Sequence, residues 1–243
     1  MRLDTLLERL EYKVVQGSAE TEVTTLINDS RKVENGSVFV CISGAVSDGH
    51  KYAAEVAEKG AAAVVVEKDV EVPADVTVIK VEDTRYALAL MSAAYFGYPA
   101  EKLKIVGITG TKGKTTTTYM IKSILEETGH KVGLIGTIEA IIGEKKIPAA
   151  NTTPESYTIH QYFAEMVKEG CDCVVMEVSS QGLKLDRTAG IMFDIGVFTN
   201  LEPDHIGPNE HESFEDYLNC KAKLFKQCKV GIVNADDKHT KDI

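Results

Sequence analysis

The sequence lacks the long apolar run, the leader and the basic surface that would place a protein in a membrane or on a nucleic acid. No stretch approaches the roughly 20 apolar residues of a membrane-spanning helix. The first four residues already include Arg2 and Asp4, where a signal peptide would lead into an apolar region. The net charge is −10 and the lysines and arginines are scattered, so no patch is available to neutralise a phosphate backbone. We therefore expect a soluble cytoplasmic protein that binds neither membranes nor nucleic acid.

The spacing of the cysteines excludes a Cys-x-x-Cys site. The five cysteines form no Cys-x-x-Cys pair, and most lie in apolar runs, which favours reduced thiols in the core. A hydrophobic content of 44% is typical of a packed globular chain, and 243 residues are enough for one or two domains. The sequence contains no internal repeat and no low-complexity tract.

Strands alternate with helices along the whole chain, which predicts an α/β fold. In the first part, the predicted strands are 38–42, 61–66 and 76–81, and the predicted helices are 52–59 and 84–96. In the second part, the predicted strands are 104–109, 131–135, 173–178, 195–199 and 230–233, and the predicted helices are 114–127, 154–168 and 214–226. Several of these strands are continuous apolar runs, as in a parallel sheet covered on both faces.

The segment Pro99-Ala100-Glu101-Lys102 is the best candidate for a boundary between two domains. We predict a small N-terminal α/β domain over residues 1–100 and a mostly parallel-sheet domain over residues 101–243. The chain stops at Ile243, soon after the polar residues 234–237 that follow a strand. We therefore expect the second domain to be incomplete.

Residues 104–118 place a strand, a glycine-rich turn and a helix in succession, which is the context of a phosphate loop. Glycines in the turn let backbone N–H groups surround phosphate oxygens, and the helix adds the positive end of its dipole. Lys114 is placed to reach the β- and γ-phosphates of ATP, and Thr115 to offer a hydroxyl to Mg²⁺. The general pattern would need glycine where Ile108 stands, so this loop is a shorter variant. The predicted ATP-binding residues are Gly110, Thr111, Lys112, Gly113, Lys114, Thr115 and Thr116.

Polar residues at or after the ends of later strands are candidates for the same site, because ligands of parallel sheets lie beyond the carboxyl ends of the strands. Glu177 lies in the apolar run 174–178, where a carboxylate is costly unless it is paired or binds a metal. With His205 and Thr115 it predicts a Mg²⁺ environment, although Mg²⁺ prefers oxygen ligands. A lone histidine after a strand is more often a structural hydrogen-bonding residue. Lys221, on a helix, would by itself count as a solvated surface residue.

Taken together and in order, these segments resemble the Mur ligase family, and within it the tripeptide-ligase branch (MurE type). The resemblance is carried by Asp29-Ser30-Arg31-Lys32, Asp48-Gly49-His50, the phosphate loop, Asn151-Thr152-Thr153-Pro154, Glu177-Val178-Ser179-Ser180 and Asn200-Leu201 with Asp204-His205. The two front segments narrow the resemblance to the MurE type. Three positions depart from the family pattern: Lys112 replaces a usual Asn, Gln181 a usual His, and Leu185 a Gln found in some members.

The resemblance implies a role for each matching residue. In the first domain, Ser30, Ala45, Val46 and Ser47 would contact the uridine nucleotide of the substrate. In the second domain, the residues implied to bind the muramoyl peptide are Asn151, Thr152, Thr153, Ser179 and Arg187. The implied Mg²⁺ ligands are Thr115, Glu177, His205 and Lys221, the last as an N6-carboxylysine. Carbamylation would turn the lysine into a hard oxygen ligand that suits Mg²⁺.

By the same resemblance, the activity is an ATP- and Mg²⁺-dependent amide ligation in peptidoglycan precursor synthesis. The D-Glu side-chain carboxylate of UDP-MurNAc-L-Ala-D-Glu would be phosphorylated, and a diamino acid would attack the acyl phosphate. The choice between meso-diaminopimelate, L-lysine and another amino acid stays open. The family's C-terminal domain has no residues here, so we expect weak or no ligase activity. We also expect a monomer.

Two alternatives remain open. A folylpolyglutamate-synthase-like ligase would share the phosphate loop and the histidine segment but lacks the front domain. A non-catalytic module that binds UDP-MurNAc peptide and ATP is disfavoured by the intact Lys114, Thr115, Glu177 and His205. A generic P-loop kinase ranks below both, because no residue resembles a kinase acceptor base.

Overall fold

The computed structural model describes residues 1–44, 47–204, 206–207 and 210–243, which divide into two compact units, Met1–Tyr95 and Phe96–Ile243. Each unit is an α/β structure with its own sheet, which confirms the predicted fold class. Pro99–Lys102 is a 3₁₀ turn inside the second unit. Within the described ranges, no helix is long and apolar enough to cross a membrane. All five cysteines are free thiols.

The first unit is built on a five-stranded sheet in the order β1-β5-β4-β3-β2. Its strands are β1 Lys13–Gln16, β2 Leu26–Ile27, β3 Val38–Val40, β4 Ala63–Val66 and β5 Thr77–Lys80. Its helices are α1 Leu3–Leu7, α2 Ala53–Glu58 and α3 Thr84–Tyr95. The central strand β4 is buried along its whole length, as expected of a continuous apolar run between parallel neighbours. Only β1 pairs antiparallel, with β5, in the described part of this sheet.

The second unit is built on a seven-stranded sheet in the order β12-β11-β6-β10-β7-β8-β9. Its strands are β6 Lys104–Thr109, β7 Val132–Ile135, β8 Glu139–Ile142, β9 Lys145–Pro148, β10 Cys173–Glu177, β11 Phe193–Phe198 and β12 Cys228–Val233. Its helices are α4 Lys114–Glu127, α5 Ser156–Lys168, α6 Ser180–Lys184 and α7 Phe214–Lys226. The pairs from β12 to β7 are parallel, and β8 and β9 add an antiparallel hairpin.

Helices cover both faces of this sheet, so the unit has three layers. Ile121 and Leu125 of α4 pack on one face, against a cluster that includes Val106 and Val175. Phe163 of α5 and Leu224 of α7 pack in the larger cluster of the other face. This arrangement brings the carboxyl ends of β6, β10 and β11 together at the edge where α4 begins.

A row of glycines lets α7 approach the sheet closely. Gly107, Gly196 and Gly231 are partners in register on β6, β11 and β12. A Cβ atom at Gly107 would lie 2.6 Å from the Phe193 ring and 3.2 Å from Leu224 of α7. The strands therefore need glycine where the helix crosses them, and the close approach carries Lys221 of α7 toward the end of β6.

Candidate active site

The phosphate loop lies where the sequence predicts it, between β6 and α4. Gly110 adopts a φ of 145°, and a Cβ atom there would lie 1.9 Å from the Thr199 hydroxyl, so only glycine fits. Gly113 caps the N-terminus of α4 in the left-handed region, with a φ of 83°. The first N–H groups of a helix have no carbonyl partner within it, and α4 directs them at the space above the loop. Loop and helix together form a site suited to an anion.

Three carbonyl groups of the loop are occupied by donors. The Gly110 carbonyl accepts from Lys114 Nζ at 2.8 Å and from Lys221 Nζ at 2.9 Å. The Thr111 carbonyl accepts from Lys114 Nζ at 3.1 Å. The Lys112 carbonyl accepts from the Thr199 hydroxyl at 2.7 Å and from Asn200 Nδ2 at 3.0 Å. The negative ends of these dipoles are therefore engaged by cations and polar side chains, which favours binding of phosphate.

Glu177 lies at the end of β10 and is 1% exposed. One carboxylate oxygen accepts from the Thr115 hydroxyl at 3.1 Å and from the Thr137 hydroxyl at 3.0 Å. The other accepts from the Thr137 backbone N–H at 2.9 Å. The carboxylate is thus fixed beside the phosphate loop by two threonines, and its burial, costly in isolation, is offset by these hydrogen bonds.

The same three side chains fit a divalent cation. The carboxylate of Glu177 and the hydroxyls of Thr115 and Thr137 are hard oxygen donors of the kind that Mg²⁺ prefers. They lie at the start of α4, where an anionic phosphate would bring further oxygen atoms. The donor set therefore suits a metal ion that is shared between the protein and a phosphate.

Lys221 is buried rather than solvated, at 1% exposure. Its Nζ lies 4.4 Å from the centre of the Tyr217 ring and donates to the Gly110 carbonyl. Burial, and secondly the positive charge of Lys114, lower the pKa of Lys221 to about 7. Burial also lowers the pKa of Lys114, against the opposing charges of Glu177 and Asp204. The interpretation of Lys221 as an ordinary surface lysine is therefore wrong.

The predicted peptide-binding segment is folded against the same strand end. The Thr153 hydroxyl donates to the Glu177 carbonyl at 3.0 Å and accepts from the Ser179 N–H at 2.9 Å. Arg187 Nη1 donates to the Thr153 carbonyl at 2.9 Å, and Ser179 caps α6. Thr152 reaches the Thr137 hydroxyl at 3.0 Å. Asn151 is exposed at the mouth of a cavity of about 160 Å³.

Two candidate residues of the first unit, Ser30 and Ser47, lie among the described residues. Ser30 begins a 3₁₀ turn capped by Asp29, and its carbonyl accepts from Lys59 Nζ at 3.1 Å. Ser47 is exposed, and its hydroxyl lies 3.2 Å from that of Tyr52. The predicted site residues Ala45, Val46 and His205 lie outside the residues that the structure describes.

Sequence reasoning missed several residues that shape this site. Thr137, in the turn after β7, contacts both oxygens of Glu177, and nothing in its local sequence distinguishes it. Tyr217 is fully buried, and its hydroxyl lies 3.1 Å from that of Thr111. It stands four residues before Lys221, on the same face of α7, a spacing that could have drawn attention to it.

Comparison with known proteins decides the family. A model described as the Mur ligase middle domain matches residues 108–243, and one described as the Mur ligase family catalytic domain matches residues 22–96. The chain belongs to the Mur ligase family. The match to the middle domain covers the phosphate loop, Glu177 and Lys221, and the family resemblance of the sequence is confirmed.

Individual Mur ligases agree with this assignment. The UDP-N-acetylmuramoyl-L-alanyl-D-glutamate–2,6-diaminopimelate ligase of Clostridium perfringens is 50% identical over 243 residues, which are 100% of this chain and 50% of that protein. A solved structure of a ligase with the same name superposes with a TM-score of 0.82 at 26% identity, covering 99% of this chain and 48% of the other. The MurF ligase of Thermotoga maritima in complex with ADP shares the fold, with a TM-score of 0.59 at 22% identity over 92% of this chain and 48% of that one. The chain spans about half the length of the curated relatives that it matches.

Two departures from the usual Mur ligase pattern have distinct surroundings. Lys112 points to solvent, where its Nζ pairs with Glu202 at 2.7 Å, and this hydrogen bond raises its pKa. Gln181 lies in α6, and its buried Nε2 has no hydrogen-bond partner among the described residues. The same is true of Arg187 Nε. The Arg187 guanidinium also donates to the Thr153 carbonyl and forms an ion pair with Glu155.

Proposed function

We propose that this chain supplies the nucleotide and muramoyl-peptide sites of an ATP-dependent amide ligase. The reaction adds diaminopimelate to the D-Glu side-chain carboxylate of UDP-MurNAc-L-Ala-D-Glu, a step of peptidoglycan precursor synthesis. The carboxylate attacks the γ-phosphorus and ADP leaves, after which the amine attacks the acyl phosphate and inorganic phosphate leaves. The name of the Clostridium perfringens ligase supports diaminopimelate as the incoming amino acid.

One observation carries the proposal: a buried carboxylate, a phosphate loop, a buried lysine and a half-buried lysine meet at one edge of the sheet. Glu177 contacts Thr115 of the loop, while Lys114 and Lys221 both donate to Gly110. A structural ion pair would place a lysine against the carboxylate, but both lysines are hydrogen-bonded to the loop backbone instead. The arrangement suits a substrate that brings both phosphates and a metal ion.

The side chains of this site have separate tasks in the proposed reaction. The N–H groups at the start of α4 and the Lys114 ammonium bind the phosphates and stabilise the charge that gathers on the transferred group. Thr115 and Glu177 would hold Mg²⁺, with His205 and a carbamylated Lys221 proposed as further ligands. When bound, Mg²⁺ supplies charge neutralisation of the phosphate oxygens. Arg187, held beside the predicted peptide-binding segment by the Thr153 carbonyl and by Glu155, is proposed to bind a substrate carboxylate.

The lowered pKa of Lys221 supports its proposed modification. Only a neutral amine can add to the carbon of CO₂, and the nitrogen then loses a proton to give the carbamate. Because the pKa is lowered to about 7, the neutral amine is well populated at neutral pH. An ordinary lysine would be almost fully protonated there.

The first unit is proposed to bind the uridine nucleotide through Ser30, Ala45, Val46 and Ser47. Asn151, Thr152, Thr153 and Ser179 are proposed to bind the peptide portion. With these roles we propose residues 1–100 as the UDP-MurNAc-binding domain and residues 101–243 as the ATP-binding domain. We also propose that the chain is a cytoplasmic monomer.

A ligand-binding comparison tests the proposed function. We expect titration calorimetry to show binding of UDP-MurNAc-L-Ala-D-Glu and of ATP with Mg²⁺, and no binding of folate. Amide formation is then assayed with meso-diaminopimelate and with L-lysine; turnover is expected to be weak, and any turnover should be higher with diaminopimelate. Folate binding without muramoyl-dipeptide binding would contradict the proposal and favour a folylpolyglutamate-synthase-like ligase.

A further inference from the structure

The segment that follows β11 forms several hydrogen bonds with the phosphate loop. Asn200 makes two hydrogen bonds to one loop residue: its Oδ1 accepts from the Lys112 N–H at 2.9 Å, and its Nδ2 donates to the Lys112 carbonyl at 3.0 Å. The Thr199 hydroxyl donates to the same carbonyl at 2.7 Å. The Asn200 carbonyl accepts from the Thr111 N–H at 2.9 Å. Both hydrogen-bonding groups of the Lys112 backbone are therefore held by two neighbouring residues.

This segment is itself anchored on two sides. The Thr199 N–H donates to the Thr109 carbonyl at 3.1 Å, which continues the pairing of β11 with β6. Asn234 Nδ2 donates to the Thr199 carbonyl at 2.9 Å, and Asp237 accepts from the Leu201 N–H at 2.9 Å. Thr199 and Asn200 thus connect the loop to β6 and to the segment that follows β12.

The orientation of the Lys112 backbone matters for an anion. A carbonyl oxygen facing a bound anion would repel phosphate, whereas the Lys112 carbonyl is engaged by the Thr199 hydroxyl and by Asn200 Nδ2. The N–H groups of Gly113, Lys114 and Thr115, at the start of α4, have no partner within the helix and are left for the ligand. Holding the loop in this conformation before binding also removes an ordering cost that the ligand would otherwise have to offset.

We propose that Thr199 and Asn200 are positioning residues that hold the phosphate loop in its anion-binding conformation and thereby set its affinity for nucleoside triphosphates. They act through the Lys112 backbone and need no contact with the nucleotide. The inference rests on the proposed function in one respect, that the ligand of the loop is ATP.

Paired substitutions at Thr199 test the proposal. Thr199→Val keeps the shape but removes the donor, and Thr199→Ser keeps the donor. We expect Thr199→Val to weaken binding of ATP and of inorganic triphosphate by roughly ten-fold, the usual effect of one hydrogen bond. Thr199→Ser should bind within about two-fold of the unsubstituted chain, because its hydroxyl can still donate. Affinities are measured by calorimetry, and urea unfolding of each variant is measured separately.

Asn200→Ala provides the second variant and is expected to weaken ATP binding by roughly thirty-fold, because two hydrogen bonds are lost. Gln16→Ala is the matched control. Gln16 lies in the first unit, and its Nε2 donates to the carbonyls of Pro73 and Val76, both at 2.7 Å. This control should lower stability to urea and leave ATP affinity unchanged. If Asn200→Ala does not fold, the near-isosteric Thr199→Val carries the test.

The outcomes separate this inference from the proposed function. ATP affinity that is equal in the unsubstituted chain, Thr199→Val and Asn200→Ala would overturn the positioning role and leave the ATP site standing. Equal losses in Thr199→Val and Thr199→Ser would also overturn it, because the hydroxyl would then be irrelevant. An unsubstituted chain that binds neither ATP nor triphosphate would overturn the proposed function and this inference with it.

Discussion

Replacing Lys114 with alanine is expected to weaken ATP binding by about 100-fold, which corresponds to roughly 2–3 kcal/mol for a charge-assisted contact with phosphate. The ammonium group is already held at the loop by the carbonyls of Gly110 and Thr111, at 2.8 and 3.1 Å. It therefore needs little reordering to meet a phosphate. Its removal also frees the Thr111 carbonyl, whose dipole would then repel the nucleotide. Calorimetric titration with ATP measures the change.

Lys112→Ala is the matched control for this substitution. Lys112 lies two residues earlier in the same loop, but its side chain is 73% exposed and pairs with Glu202. An exposed ion pair of this kind contributes at most about 1 kcal/mol, so ATP affinity should change by no more than a few-fold. Equal losses in both variants would mean that general positive charge, rather than the position of Lys114, attracts the nucleotide.

Replacing Lys221 with methionine is expected to stabilise the chain, by about 2 kcal/mol at pH 7 in buffer free of CO₂. Methionine fills a similar volume and has no charge to desolvate. Burial lowers the pKa of Lys221 from 10.5 to about 7. Each tenfold change in an acid dissociation constant corresponds to about 1.4 kcal/mol, so removing the buried charge would by itself stabilise the chain by more than about 2 kcal/mol. Loss of the hydrogen bond to Gly110 and of the contact with the Tyr217 ring offsets part of the gain. The same variant cannot form the proposed carbamate.

Lys221 should also make the stability of the chain depend on pH. Because the pKa of Lys221 is lower in the folded chain than in the unfolded chain, the unfolded chain binds the proton more readily between about pH 7 and pH 10. Lys221 therefore makes the unfolding free energy fall as the pH falls from 10 to 7. We expect this contribution to disappear in Lys221→Met, as measured by urea unfolding at pH 7 and pH 9.5.

Lys223→Met is the control on the same helix. Its Nζ donates to the Leu183 carbonyl at 3.2 Å, but its side chain is 45% exposed. The control should keep the pH dependence of the unsubstituted chain and should not gain stability. A Lys221→Met variant that is less stable than the unsubstituted chain at pH 7 would contradict the account of a buried, weakly basic amine.

The sequence predicted the helices and strands whose ends are marked by residues close to them in the chain. Strand β6 and helices α4 and α7 have the predicted bounds, because glycine, proline or a capping residue marks their ends. The hairpin of β8 and β9 was missed, although Gly143-Glu144 between Ile142 and Lys145 is a two-residue turn with glycine at a positive φ. The short helix α6 was also missed, since five residues give no periodicity to detect.

The candidate site was predictable only where the local sequence marks a residue as unusual. Glu177 was singled out because a carboxylate in an apolar strand needs a partner, and the structure supplies that partner as Thr115 and Thr137. Thr137 belongs to a different strand end and is brought in only by the order β10-β7 in the sheet. The burial of Lys221 depends on the glycine row under α7, a tertiary feature that the helix pattern alone does not show.

The most direct test of the central claim is the Mg²⁺ dependence of ATP affinity in the unsubstituted chain and in Glu177→Gln. If Glu177 and Thr115 hold the metal ion beside the phosphate loop, Mg²⁺ should tighten ATP binding by about ten-fold in the unsubstituted chain. Glutamine keeps the shape of the side chain but removes its charge, so the variant should lose most of this Mg²⁺ effect. A Glu177→Gln variant that retains the full Mg²⁺ effect would contradict the claim that this buried carboxylate is part of the nucleotide site.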